Sequence, residues 1–583
     1  MFHSRNPRFF QDFPQIKKMP NREKNPLKIG PVAATLLLLG GCAQAPPAPT
    51  PWEISERANR QFLEQKRFDP WILISDDPQN PTPAYGAQGD VGGVIGADGT
   101  YQEIFVAGRY RNHRLEPVAQ FTPDSRRDLS GISPYRQTLD LQSGRFQTQI
   151  GAQTQMLQLG GRSEKEWRKL WINSDIVISG DAEAQQVTHA NLFYLLSSTF
   201  QNSTHSLPPM GLSSSAYNGR IFWDADVWML PALIVQHPEE ARSIVAYRFK
   251  TLNQAKNNAR AHGFPGAEYA WESTDSGVET APEEFARERH VTAGVAFAVW
   301  QYYLWTGDEE YLKREGWPIL QASAQYWASR AKLESDGRFH IRGVLGPDET
   351  SGIVDDDAYT NAAARANLRW ATRAAKVLDK KPDPRWNKVA DRMAFAFDKK
   401  LGIIAEHQGM RANLRAKQAD TLLLLHPLDE VFDAKTMGKM LDWYGAHTSD
   451  KGPAMTTAIH AVIAARLGRK EQSLQEFRAS YRPFMRGPWA AFSEKPTTQN
   501  VYFLTGMGGT LQSVLYGFAG LQARPIEETG RGRRLIFDKH AALWADPHLP
   551  PGWKNLKIKG IRFRGHTLDL SIGAGDKITL QKR

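Results

Sequence analysis

VTAGVAFAVWQYYLWTGDEEYLKREGWPILQASAQYWASRA, from Val291 to Ala331, is the stretch whose reading decides the fold. Apolar residues recur at Val295, Val299 and Tyr302, and again at Leu320, Ala324, Trp327 and Ala331. These are steps of three and four, the spacing that lines side chains along one face of a helix. Val245, Phe249 and Leu252 upstream, and Met455, Ile459 and Val462 downstream, keep the same period, so each segment is expected to bury that face. Pro238 marks a helix start and Gly468 a helix end. On the order of a dozen such segments run from about residue 185 to 521, joined by loops too varied for a regular solenoid. An all-helical toroid of paired helices is the package they predict.

On either side the period changes to two. Before the helices come Val91 to Ile95, an Asp98-Gly99 turn, Ile104-Phe105-Val106, the alternation Leu139/Leu141, and Met156 to Leu159, which read as a β domain. After them come Leu556/Ile558, Ile561/Phe563, Leu568/Leu570/Ile572 and Ile578/Leu580, separated by Gly560, Gly565 and Gly573-Ala574-Gly575. That pattern predicts a small antiparallel sheet. The fold class is therefore mainly α, with β domains expected over 66–165 and 526–583 and the helical part over 166–525.

With 47 Gly, 35 Pro, 41% hydrophobic and 23% charged residues in 583, the chain has a folded composition, and disorder is excluded. Its net charge of +11 is concentrated at the start, where residues 1–30 carry +5. The remainder is interspersed with acids, which argues against a nucleic-acid partner. The basic start leads into the apolar run Val32 to Leu39 and then Leu39-Gly40-Gly41-Cys42. The run is too short to span a bilayer and fits a secretory signal over 1–41. The last four residues resemble a bacterial lipobox, so Cys42, the only cysteine, is the expected lipidation site. Residues 42–65 are expected to form a tether, Pro-rich over 43–51. Ala43 carries no Asp retention signal, so the expected place is the bacterial cell envelope, lipid-anchored to the outer membrane and facing the periplasm or the cell surface. The stretch before Met19 is long for a signal, and both Met1 and Met19 fit as the translation start.

GxSxG, HExxH and GxxxxGK[ST] patterns are absent, and no metal or cofactor is expected. What remains is carboxylates in loops rich in Trp, Gly and Pro. Asp224 lies in Phe222-Trp223-Asp224-Ala225-Asp226, where it could equally cap the following helix. Glu349 lies in Gly346-Pro347-Asp348-Glu349, where the plain alternative is an exposed turn acid. Glu494 lies in Phe492-Ser493-Glu494-Lys495 and could merely pair with Lys495. Trp271-Glu272-Ser273-Thr274 and Lys417-Gln418-Ala419-Asp420 add hydroxyl-bonding groups, and 17 Trp supply flat platforms. Two carboxylates in a polar, Trp-lined cleft are what glycoside hydrolysis requires.

At these places the chain resembles glycoside hydrolase family 65. The strings that carry the resemblance are YNGRIFWDADVWMLP from Tyr217, GAEYAWESTDSG from Gly266, GPDE from Gly346, KQAD from Lys417 and FLTGMGGTLQ from Phe503, in the family's order. It covers about residues 165–575 and implies an (α/α)6 barrel between a β-sandwich and a C-terminal β-sheet domain. By the same resemblance Glu349 is the general acid, Trp223, Asp224, Lys417 and Gln418 bind glucose, and Trp271 and Glu272 are further sugar contacts. Glu494 looks like the base of the hydrolytic members. The likeness is greatest to the glucosylgalactosyl-hydroxylysine glucosidase branch. It implies an inverting hydrolase of terminal α-linked glucose, on a disaccharide or a glucosyl-galactose-type glycoside. An inverting phosphorylase, with phosphate held near Arg486 and Ser493, and a non-catalytic sugar-binding lipoprotein are the alternatives. Two departures stand out. The PDE turn continues with Thr350-Ser351-Gly352 where the family has Tyr, often with His, and the N-terminal β domain is short. The first implies a different leaving-group subsite and the second a more open cleft.

Overall fold

The structure, a computed structural model, describes residues 51–65, 68–121, 129, 131–199, 201–430 and 432–583. The expected signal, Cys42 and the first part of the tether lie outside the described residues. From Pro51 to Glu64 the expected tether is instead a helix, and its Phe62 is buried edge-on against Phe68. Apolar residues in that stretch recur at helical spacing, which a solvated tether would not need.

Two antiparallel four-stranded sheets form the N-terminal β domain. One orders Ile72–Ser75, Tyr135–Asp140, Arg145–Ile150 and Gln153–Gln158; the other orders Ala84–Gln88, Val91–Ile95, Tyr101–Val106 and Ala119–Gln120. Leu73, Leu139 and Phe146 from the first and Tyr85 and Ile95 from the second enter one apolar core. That inward alternation is what was legible in the sequence. Met156 on the last strand is exposed.

Helices then build a barrel. Among the described residues six inner segments pack side by side and close on themselves: Ala225–Met229 running into Leu230–Ile234, Val291–Thr306, Ala358–Val377, Thr421–Leu424, Thr456–Arg466, and Leu504–Gln512 running into Ser513–Phe518. Outside them lie Ala182–Ser198, Pro238–Lys250, Trp317–Arg330, Pro384–Asp391, Ala434–His447 and Lys470–Ala479. Position in the ring follows composition. Val291–Thr306 is apolar on every face and buried along nearly its whole length, as an inner helix must be. The outer helix Pro384–Asp391 buries only Trp386, Val389 and Ala390. On Pro238–Lys250 the buried stripe is Ala241, Ile244, Val245 and Arg248, because Arg248 reaches inward to Asp226 at 2.5 Å. Phe249, one position round, is exposed against expectation.

The C-terminal layer has two antiparallel sheets. One orders Ile176–Ser179, Asn555–Phe563, His566–Gly573 and Lys577–Lys582; the other orders Leu521–Pro525, Ala541–Ala545 and Arg533–Phe537. Thus the strands Ile176–Ser179 and Leu521–Pro525, from within the stretch expected to be helical, belong to this layer. Gly560 does not separate two strands. It sits in a bulge of one continuous strand with φ of 71°, where a Cβ would meet the Asn173 carbonyl oxygen at 2.2 Å.

Candidate active site

All six inner segments begin at the same mouth of the barrel. Asp224, Met455 and Phe503, each at the start of an inner segment, line a cavity of about 300 Å³ there. Helix N-termini carry partial positive charge, which suits a cavity holding several carboxylates. Trp223, Asp224, Trp271, Glu272, Glu349, Lys417, Gln418 and Glu494, the eight residues singled out from the sequence, all line this one cavity.

Asp224 does not cap its helix. Its Oδ1 accepts a hydrogen bond of 2.6 Å from Thr505 Oγ1, across the barrel on the last inner helix. Burial, with Glu494 adding to it against the Thr505 bond, raises the Asp224 carboxyl to about 7. Behind it, Asp226 pairs with the fully buried Arg248, which ties the Trp-Asp turn to the outer ring.

Glu349 stands at the tip of a β-hairpin, Val344–Leu345 paired with Ile353–Val354, rather than on a bare turn between helices. Asp348 locks the tip: its Oδ1 accepts from Thr350 Oγ1 at 2.6 Å and from the Lys417 backbone N–H at 2.7 Å. Ser351 Oγ lies 3.1 Å from Asp348 Oδ2 and 2.6 Å from Glu406 Oε1. Thr350 and Ser351 therefore hold the turn through hydroxyls. Lys417 Nζ donates to Glu349 Oε1 at 2.6 Å, and Gln418 Nε2 donates to Pro347 O at 2.5 Å. The ammonium thus rests on the carboxyl expected to carry the proton, an arrangement that the sequence reading did not contain.

Glu494 follows the hairpin Met485–Arg486 and Ala491–Phe492. Its Oε2 accepts from Tyr217 Oη, and Lys495 Nζ stands 3.9 Å from Oε1. Arg486, fully buried, donates to the carbonyls of Met485, Pro496 and Thr498, and Ser493 Oγ donates to Lys495 O at 2.7 Å. The two groups proposed from sequence to hold phosphate are thus bonded to backbone carbonyls. Glu272 pairs with Arg220 at 2.6 Å, and burial still raises its carboxyl.

Several site residues escaped the sequence reading. Tyr217 and Thr505 lay inside the resembling strings without being singled out. Asp357 and Asp420 start inner helices behind the GPDE hairpin. Burial raises both carboxyls, Asp357 to about 6. Glu288 is wholly buried with its carboxyl 3.1 Å from His290 Nε2; burial, with Glu349 adding to it, raises the acid, and burial lowers the imidazole to about 3. His290 packs edge-on against Trp223 at 4.7 Å and Trp271 at 5.5 Å, so a neutral pair backs both Trp walls. The adjacency Glu288-Arg289-His290 just before an all-apolar helix was the available signal.

The description "Glycosyl hydrolase family 65 central catalytic domain" matches residues 189–415 and 410–487, and the C-terminal domain of the same family matches residues 538–583. The chain belongs to glycosyl hydrolase family 65. Among family 65 relatives, a kojibiose hydrolase of Mucilaginibacter mallensis is 40% identical over 401 residues, 68% of this chain and 57% of that protein. A protein-glucosylgalactosylhydroxylysine glucosidase of Mus musculus is 33% identical over 429 residues, 71% of this chain and 60% of that protein. The matched part of the chain thus spans little more than half the length of these relatives. A solved human-microbiome structure named as a kojibiose phosphorylase superposes with a TM-score of 0.67 at 16% identity, covering 89% of this chain and 96% of that one. The last likeness concerns the fold, an (α/α)6 barrel flanked by β domains.

Proposed function

We propose that this family 65 protein is an inverting glycoside hydrolase that removes terminal α-linked glucose from a disaccharide or a glucosyl-galactose-type glycoside. The observation that carries the reading is the presence of a second carboxylate, Glu494, in the same cavity as Glu349, where a phosphorylase would need cationic or hydroxyl groups free to hold phosphate. Relatives named kojibiose hydrolase and glucosylgalactosylhydroxylysine glucosidase support the same substrate class.

In the reaction Glu349 gives its proton to the glycosidic oxygen as the bond from that oxygen to C1 breaks. A water oxygen bonds to C1 from the other face, and its proton passes to Glu494. Lys417 must leave Glu349 for a sugar hydroxyl when substrate binds, which frees the acid for proton transfer. Asp224 and Gln418 bind hydroxyls of the same glucose, with Trp223 and Trp271 as walls. Inversion calls for a separation of roughly 6.5–9.5 Å between the two catalytic carboxyls, with water between them.

Kojibiose assayed with and without phosphate tests this reading. Free glucose, initially β from the non-reducing unit, at a rate independent of phosphate is expected; glucose 1-phosphate as main product refutes it. The further proposal that Cys42 is lipidated and anchors the protein in the cell envelope rests on the lipobox resemblance, and cell fractionation of a Cys42→Ser variant tests it.

A further inference from the structure

We infer that Tyr217 is a positioning residue for Glu494, and that the hairpin Tyr110–Arg111 and Arg114–Leu115 of the N-terminal β domain holds it in place; the inference rests on the hydrolase reading above. Tyr217 lines the cavity and its hydroxyl donates to Glu494 Oε2. It is carried on Tyr217-Asn218-Gly219, three consecutive residues with φ of 53°, 54° and 63°. A side chain at such φ crowds its own backbone, and a tyrosine there is rare. Backbone of this kind persists where the surroundings over-determine it, and it clusters at working sites.

Those surroundings come from the β domain. Tyr110 Oη donates to Gly219 O at 2.6 Å, and Arg220 Nε donates to His113 O at 3.0 Å. Leu115 lies so close over Gly219 that a Cβ there would meet it at 2.4 Å, so residue 219 has to be glycine. The Tyr217 ring meets Phe222 edge to face at 5.6 Å and is otherwise 39% exposed, so core packing does not account for it. What the loop secures is the hydroxyl.

That hydroxyl fixes the base. Glu494 has two equivalent oxygens and a free torsion; a donor on Oε2 stops the rotation and leaves Oε1 to take the proton from water. Burial and the Glu494 carboxylate both keep the phenol protonated, and so a donor. Lys495 at 3.9 Å and the Asp224 carboxyl also face Glu494, and Glu349, Glu272 and Lys417 line the same cavity. The β domain, on this account, completes the barrel's site.

The test compares Tyr217→Phe with wild type on kojibiose and on α-glucosyl fluoride, whose fluoride departs with little help from an acid but still needs a base to activate water. Loss of a bond to a charged acceptor should lower kcat about 10- to 100-fold on both substrates, with KM changed less than about twofold. Glu349→Gln should instead lose kojibiose turnover and keep fluoride turnover. Tyr110→Phe, which leaves Tyr217 intact but loosens its loop, should show the Tyr217→Phe pattern more weakly. Wild-type kcat in Tyr217→Phe, a defect that vanishes on the fluoride, or a change confined to KM overturns the inference alone. A wild-type protein that releases glucose from neither substrate overturns the hydrolase reading, and this inference with it.

Discussion

Replacing Asp224 with asparagine should make the empty protein more stable while removing a sugar contact, and the gain should depend on pH in a defined way. The Asp224 carboxyl ionises near 3.8 when unfolded and at about 7 in the fold, chiefly because it is buried. Between those two values the native state binds more protons than the unfolded chain, so stability falls as pH rises through the window. At pH 8 the carboxylate is charged in both states, and the buried charge costs about 4 kcal/mol. At pH 5 the cost is about 2 kcal/mol, because the folded carboxyl is still protonated. Asparagine keeps an acceptor for Thr505 Oγ1 and never ionises. Tracked by urea unfolding, the variant should therefore gain about 2 to 3 kcal/mol on wild type between pH 5 and pH 8, with hydrolysis lost at both. A stability difference that is flat across this range would refute the burial argument, and full activity in the variant would remove Asp224 from the sugar site.

Glu349→Gln should cut kojibiose hydrolysis by roughly 100-fold or more while glucose still binds, as read by turnover and calorimetry. Glu494→Gln should also lose hydrolysis, and azide should restore cleavage in part by replacing the activated water; an active variant, or α-glucose as first product of wild type, would speak against Glu494 as inverting base. Arg248→Met should destabilise the fold by about 3–5 kcal/mol, because it strands Asp226 in the core, and chemical unfolding measures this. Cys42→Ser should move the protein from the membrane to the soluble fraction without loss of turnover.

The barrel was readable because every inner segment must be apolar where it meets its neighbours, and Val295, Val299 and Tyr302 say so without help from the rest of the chain. The C-terminal strands were readable for the same reason at period two. Their interruption at Gly560 was misread, since a glycine that ends a strand and one that lets another backbone approach look alike in sequence. Phe249 shows the complementary limit: periodicity marks a face, but Arg248's reach to Asp226 decides which face turns inward. At the site, the eight residues were found through strings of neighbours, and their meeting in one cavity agrees with that reading. The contacts between strings were hidden. Asn218-Gly219 announces a turn, yet nothing local says that the turn delivers a phenol to Glu494, or that Lys417 rests on Glu349.

The strand Ile176–Ser179 pairs with Asn555 to Ile558, almost the whole catalytic chain away. A growing polypeptide therefore presents that edge, and the apolar Ile176 and Ile178 beside it, long before their partner has been synthesised. The ring of helices can begin to assemble from local pairs, but its base is sealed only once the strand from Asn555 has been made. Such a design makes folding late and sensitive to loss of that strand, and it leaves the nascent chain in need of protection until the strand has emerged.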